Sequence, residues 1–320
     1  MNAPPPLELE ALMPGKWFKK TTNEWASSCP KCGGTDRFVV WTDKQYPRWR
    51  WMCRICNPDG GWLDQLFPKL NEEYQSMNSS EKAKRIAEQL EEQEHRLRAE
   101  IDRAQQVLKE LQEARAWEKY HRQLDEASRN LWLSWGIPEF YQDYWQLGFD
   151  PDRLIFAGGE EYHTPTMTIP IFEPTTWKCI NVRHRLLAPP KPNDKYRPER
   201  SGLPAAFFVA EPDLKIAGRT LCVEGEKKAM ASFITLDDPN MQVVGLPGKT
   251  PSDELLRKLS ECDPVYICLD PDADGEALAS RMEKSRCRVI NLPEKIDDMI
   301  FRYGLDKSWM RQVLFQSRKL

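Results

Sequence analysis

The sequence predicts a multidomain α+β protein: an N-terminal β zinc ribbon, a long helical spacer, then a core that includes an α/β domain. Three observations predict it. Two Cys-x-x-Cys pairs, Cys29/Cys32 and Cys53/Cys56, bracket strand-like runs. From Lys69 to Trp135 there is neither Gly nor Pro. Finally, two short apolar runs, Leu221–Glu224 and Val265–Asp270, each end in carboxylates and lead into helical segments. Short Val, Ile and Leu strands alternating with helices indicate a parallel sheet covered on both faces. The expected boundaries are 1–68 for the ribbon, 69–130 for the spacer, 131–217 for the first part of the core and 218–320 for the α/β domain with a helical end.

Bulk properties set limits. A chain of 320 residues, 40% apolar and 30% charged, has the composition of a soluble protein with two or three domains. No run approaches the roughly 18 apolar residues of a membrane span, and the Pro-rich start lacks a signal-peptide core. No membrane role is expected. A net charge of −3 confines any nucleic-acid surface to a local patch. Of nine cysteines, five (Cys179, Cys222, Cys262, Cys268, Cys287) are scattered, as buried free thiols are in a reducing compartment. Cytoplasm is the compartment implied.

The first element is the ribbon. Each Cys-x-x-Cys knuckle supplies two thiolates from one tight turn, so Cys29, Cys32, Cys53 and Cys56 complete a closed tetrahedral Zn²⁺ site; the competing reading is a redox pair. From Lys16 to Arg54, nine Lys/Arg face three Asp/Glu and interleave with tryptophans. Cations beside flat rings suit single-stranded nucleic acid, which makes Arg37, Trp49, Arg50 and Trp51 candidate readers. About half of these tryptophans are expected to close the small ribbon core instead.

The spacer follows. Asn78-Ser79-Ser80-Glu81 reads as an N-cap, and Ile86, Leu90, Leu97, Ile101, Ala104, Leu108 and Leu111 recur at threes and fours. A long amphipathic helix or helical hairpin is expected, a spacer rather than a nucleic-acid surface.

In the core, Met167–Phe172 and Cys179–Leu186 read as a hairpin. From Lys178 to Arg200 there are seven Lys/Arg and two Asp/Glu, a basic strand and loop that contains Arg183, Arg185, Lys195 and Tyr196. Exposed loops are often basic, so this signal is weak alone. At the α/β block, Glu224, Asp270, Asp272 and Asp274 gather at strand ends without His or Cys. Such a set suits a hard cation, Mg²⁺ above all; the alternative is that each carboxylate caps a helix. Val243–Thr250 superficially resembles a P-loop, but Val243 stands where the first Gly belongs.

Taken together, Glu224 and the Asp270-x-Asp272 pair, in this order and at this distance, resemble the Toprim domain of DnaG-type primases, topoisomerases and some nucleases. Cys29–Phe38 with Trp51–Cys56 and Gly61–Asp64 resembles the zinc ribbon of phage and plasmid primases, and Asp194–Arg197 the primase Pro-Lys-Tyr segment. The resemblance implies a DnaG-type DNA primase, which joins nucleoside triphosphates into RNA primers on a single-stranded DNA template, with a replicative helicase in trans. It implies Glu224, Asp270 and Asp272 as catalytic Mg²⁺ or Mn²⁺ ligands with Asp297 as a further one. Lys195, Tyr196, Arg183, Arg185 and Lys228 become nucleotide or template contacts. Two positions depart from the pattern: Lys228 and Lys295 stand where acids are usual. They remove negative charge near the metals, so a Toprim nuclease and a catalytically idle single-strand-binding adaptor remain as alternatives.

Overall fold

Alternation along a five-stranded antiparallel meander draws the four ribbon cysteines together. The computed structural model describes residues 6, 9, 17–44, 48–67, 79–174, 176–191, 194–203, 205–211, 218–248 and 251–319. The chain divides into two units, residues 1–101 and 102–320.

In the first unit, β1 (Phe18–Thr21), β2 (Glu24–Cys29), β3 (Gly33–Trp41), β4 (Arg50–Cys53) and β5 (Asn57–Trp62) pair in sequence order. Directly paired residues share a face. Trp25, Val40 and Trp51 form one such row and are buried, packed with Phe38, Trp17 and Leu63. The short α1 (Leu63–Leu66) follows.

The expected spacer is α2 (Ser79–Ala114), a helix of 36 residues and so about 54 Å long. Its expected cap at Asn78 lies outside the described residues, as do the side chains of Ile86 and Leu90. The apolar stripe is not buried throughout: Leu97 and Ile101 are exposed. Glu92–Arg96 and Glu94–Arg98 pairs instead line the solvated surface at i, i+4 spacing. Arg115, in the left-handed region at φ 45°, ends the helix.

In the second unit, packing begins earlier than the expected boundary at residue 130. Leu108 and Leu111 already pack with Trp117, Phe172 and Val182. α3 (Ala116–Arg122), α4 (Glu126–Ser134) and α5 (Glu139–Tyr144) precede an antiparallel sheet of β6 (Gly148–Ala157), β7 (Glu160–Phe172), β8 (Cys179–Leu186) and β9 (Tyr196–Pro198). The expected hairpin is the β7–β8 pair, running from Thr166↔Leu186 to Phe172↔Cys179.

The remaining sheet has four parallel strands at its centre: β11 (Thr220–Glu224), β12 (Gln242–Leu246), β13 (Val265–Cys268) and β14 (Cys287–Val289). Antiparallel β10 (Phe208–Val209) and β15 (Arg318–Lys319) close its edges. Both faces are buried, as the unbroken apolar runs require. Leu221, Val223, Val243 and Tyr266 pack on one face with α6 (Glu226–Leu236). Cys222, Val244 and Ile267 pack on the other with α7 (Asp253–Leu259). Helices α8 (Gly275–Ser280), α9 (Ile296–Tyr303) and α10 (Lys307–Gln316) complete the unit. No helix among the described residues is long and apolar enough to cross a membrane.

Candidate zinc centre and acidic-basic pocket

The zinc centre is preformed. Cys29 Sγ lies 3.5 Å from Cys56 Sγ, and Cys32 Sγ lies 3.5 Å from Cys53 Sγ. All four sulfurs fall within 4.8 Å of one another. A tetrahedral Zn²⁺ with ordinary Zn–S bonds needs sulfurs about 3.8 Å apart, so the set fits the ion with only small adjustment. Backbone N–H groups aim inward too: Lys31 N–H donates to Cys29 Sγ and Cys56 N–H to Cys53 Sγ. Burial works to raise the Cys53 thiol, but the N–H groups of Cys56 and Ile55 outweigh it and bring Cys53 down to about 6. One thiolate is therefore available near neutral pH to begin metal capture.

The ribbon's reading surface differs from expectation. Trp49 and Trp51 are buried; Trp49 Nε1 donates to Lys44 O at 2.6 Å and Trp51 Nε1 to Trp62 O at 3.2 Å. Their ring faces are therefore not available to bases. The opposite face carries a row instead: Trp41 pairs with Arg50, and Arg50 with Trp62. Arg50 and Trp62 are exposed, as is Arg37. Period-2 alternation was the signal that separates the two faces, since Trp49 and Trp51 flank Arg50.

In the second unit, parallel pairing sets Val223 against Cys268, so Glu224 and Asp270 leave the same end of the sheet. Gly225, at φ 87°, turns the chain from β11 into α6. Gly245 lets that turn come close, since a Cβ there would lie 2.7 Å from Gly225 O. Beyond the strand ends lies a pocket of about 300 Å³. It brings together Arg183, Arg185, Lys195 and Tyr196 from the basic segment with Glu224, Lys228 and Asp297.

The basic wall is built on a strand. Arg183 and Arg185 alternate with buried His184 along β8. Arg185 Nη1 donates to Tyr196 Oη at 3.0 Å, and its guanidinium lies 4.3 Å from the Trp135 ring centroid. Behind this wall, His184 Nε2 meets Glu199 Oε2 at 2.6 Å and Nδ1 meets Thr166 Oγ1 at 2.9 Å. Arg153 Nη1 donates to the same Glu199 oxygen at 2.8 Å. Burial holds His184 below its usual range against the pull of Glu199. The neutral imidazole thus donates from Nε2 and accepts at Nδ1.

The acids are engaged rather than clustered. Asp270 is buried, with Lys228 Nζ 2.7 Å from Oδ1 and 2.9 Å from Oδ2; Lys295 Nζ lies 3.6 Å from Oδ2. Asp297 Oδ2 meets Lys227 Nζ at 2.8 Å, while its buried Oδ1 has no hydrogen-bond partner among the described residues. Asp272 is exposed and outside the pocket lining. Asp274 does cap a helix, accepting from Ala277 N–H at 2.9 Å. Apart from the four cysteines, no three metal-ligating groups converge within 4.8 Å among the described residues.

These contacts test the expected divalent cation. Glu224 and Asp297 line one pocket, and the unpartnered Oδ1 of Asp297 leaves a donor for a hard cation of the Mg²⁺ type, which is commonly held by one or two carboxylates plus phosphate oxygens. Asp270 does not fit, because both of its oxygens already face ammonium groups. Sequence reasoning also missed Glu226, which lies 3.5 Å from Arg183 Nε and whose carboxyl is pushed up by burial, with Arg183 opposing. Nothing in its spacing distinguishes it from a surface acid in the first turn of a helix.

Comparison with known proteins identifies two regions of the chain. Residues 24–62 match the family of the zinc-binding domain of primase-helicase, and residues 220–297 match the Toprim domain. No curated protein sequence matches the chain. Among solved structures, the zinc-binding and RNA polymerase domains of Aquifex aeolicus primase are 19% identical, with 96% of this chain and 82% of that one covered at TM-score 0.51. A DnaG primase catalytic domain bound to single-stranded DNA is 17% identical, covering 68% and 83% at TM-score 0.53. A DNA primase domain from Pseudomonas aeruginosa is 19% identical, covering 66% and 78% at TM-score 0.51. The chain therefore carries a zinc-binding ribbon and a Toprim domain in the fold of a DnaG-type primase.

Proposed function

We propose that this chain is a DNA primase that builds short RNA primers on single-stranded DNA. The observation that carries the reading is the pocket at the carboxyl end of β11, where Arg183, Arg185 and Lys195 face Glu224 and Asp297. A basic wall opposite oxygen donors suits a nucleoside triphosphate. The arginines bind its phosphates by charge-assisted hydrogen bonds, and packing of Arg185 on Trp135 fixes one of them in place. In the reaction, a 3′-hydroxyl oxygen bonds to the α-phosphorus, the bond to the β-phosphate oxygen breaks, and pyrophosphate departs with the electron pair. The hydroxyl proton passes to solvent.

Glu224 and Asp297 would hold a divalent cation, Mg²⁺ or Mn²⁺, which supplies charge neutralisation at the reacting phosphate. Lys195 and Tyr196 border the same pocket and are assigned to the nucleotide or template. In the ribbon, Zn²⁺ on the four cysteines is structural, and the row Trp41–Arg50–Trp62, with Arg37, is assigned to unstacked template bases. The DNA-bound relative supports a single-stranded template. We assign a replicative helicase as the working partner and the cytoplasm as the compartment, where the five buried thiols outside the ribbon stay reduced.

The test is synthesis from labelled nucleoside triphosphates on mixed-sequence single-stranded templates, with Mg²⁺ and then Mn²⁺. Short template-dependent RNA products are expected. Strand cleavage without synthesis would replace the reading with a nuclease, and template binding without either would replace it with an adaptor.

A further inference from the structure

Lysines are disfavoured in the first turn of a helix, where backbone N–H groups already present positive charge. Helix α6 nevertheless begins Glu226-Lys227-Lys228. Each lysine is held by an acid from another element: Lys227 by Asp297 of α9 and Lys228 by Asp270 just after β13. The Lys228–Asp270 pair is buried, with 14% and 7% of the two side chains exposed. Such a pair contributes little stability, because desolvation offsets the attraction. Lys228 nonetheless lines the pocket, as does Lys295, whose ammonium approaches the same carboxylate from α9's N-cap position. Two ammonium groups thus converge on one buried acid at the place where phosphates would enter.

We infer that Lys228, with Lys295 beside it, stands on Asp270 in place of a second divalent cation, and that this ammonium pair contacts the phosphates of the incoming nucleoside triphosphate. The inference rests on the primase reading of the pocket and specifies its charge. An ammonium cannot be displaced by pyrophosphate as a hydrated metal can. It also cannot lower the pKa of a bound hydroxyl as a metal does. The pair therefore serves binding and charge neutralisation of the phosphates, while Glu224 and Asp297 would hold the one divalent cation.

The test counts metal on the full zinc-loaded chain by Mn²⁺ electron paramagnetic resonance, without nucleotide. The wild type should bind at most one Mn²⁺, and Lys228→Met, which keeps the aliphatic stem, should gain one more. In buffer free of divalent cations, the wild type should bind a non-hydrolysable nucleoside triphosphate analogue. Lys228→Met should weaken that binding about tenfold or more, as expected for loss of a charge-assisted contact. Two Mn²⁺ on the wild type, no gain in the variant, or unchanged analogue binding would each overturn the inference. If Lys228→Met melts early, Lys295→Met carries the analogue measurement, since the Lys295 side chain is 53% exposed. Neither readout requires primer synthesis. A priming wild type with two Mn²⁺ removes the inference alone, whereas the expected counts without primers on any template remove the primase reading alone.

Discussion

The zinc centre and the pocket treat their ligand groups in opposite ways. In the ribbon, four sulfurs face one another within 4.8 Å. At the pocket, buried Asp270 behind the lining faces Lys228 and Lys295, Asp297 faces Lys227, and Glu226 faces Arg183. The difference lies in the chemistry of the groups. Thiols are mostly neutral at ordinary pH and weakly hydrated, so four can approach one another without the mutual repulsion of fixed charges. Carboxylates are charged at the same pH, and gathering them without a cation raises each pKa against the others. The fold therefore supplies lysines and arginines as resident counter-charges. A metal site in the first unit is completed by its ion, whereas the pocket is largely neutralised by the chain itself.

The largest effect that follows is in the ribbon. Cys53→Ala should abolish zinc retention and unfold β1–β5, because zinc modules draw about 10–16 kcal/mol of apparent binding free energy from their metal. Amide exchange should show protection lost across 18–62 while the second unit melts as before. De novo initiation should fail, and extension of a pre-annealed primer should continue. A ribbon that keeps its protection without zinc would break the contrast, because its aromatic core would then suffice.

The next effect separates the buried acid behind the pocket from the acid that lines it. Asp270→Ala leaves buried Lys228 without its partner, a change that typically costs about 3 kcal/mol or more and lowers the melting temperature by on the order of 10 °C in a unit this size. Glu224→Ala should leave melting within about 1 kcal/mol of wild type. It should still reduce primer synthesis by more than the 10–100-fold, roughly, that loss of an outer-shell metal partner costs. Equal destabilisation by the two would mean that Glu224 is also structural, and the distinction between resident and supplied charge would fail.

What could be read in advance follows the same division. Cysteine spacing specifies its own partners, and the apolar runs of β11 and β13 need a sheet buried on both faces, so the ribbon and the parallel core were legible. The acidic motif was legible as a location but not as a set of contacts. Asp270 is engaged by Lys228, 42 positions away, a pairing set only by where parallel strands and α6 meet. Trp49 and Trp51 were misassigned because composition shows aromatic content but not facing; their alternation with Arg50 held the answer. On α2, Leu97 and Ile101 keep helical spacing but remain exposed, since periodicity marks a stripe without saying whether anything covers it.

The smallest effect concerns the hydrogen-bonded network of His184, Glu199 and Arg153 behind the basic wall. His184 lies below its ordinary value of 6.5, chiefly through burial, with Arg153 reinforcing this and Glu199 opposing. Below pH 6.5 the unfolded chain therefore binds a proton that the folded chain resists, and stability falls as pH drops. Glu199 is lowered from 4.5 although burial opposes it, because the His184 hydrogen bond and the Arg153 charge together outweigh that opposition. Its contribution is complete above 4.5 and is lost as pH falls below it. Glu226, pushed up by burial, works the other way above 4.5, so the His184 contribution is read as a difference. Relative to a His184→Gln variant, the second unit of the wild type should melt alike above about pH 7 and lose ground from 6.5 downward, while both fall below 4.5. Zinc release, followed separately, accounts for the ribbon. His184→Gln retains an amide that can donate to Glu199 and removes the titrating ring, so it should lack the first loss and keep the second. If the wild type instead gains stability relative to His184→Gln between pH 6.5 and 5.5, His184 is protonated against Glu199, and this core holds an ion pair like those in the pocket.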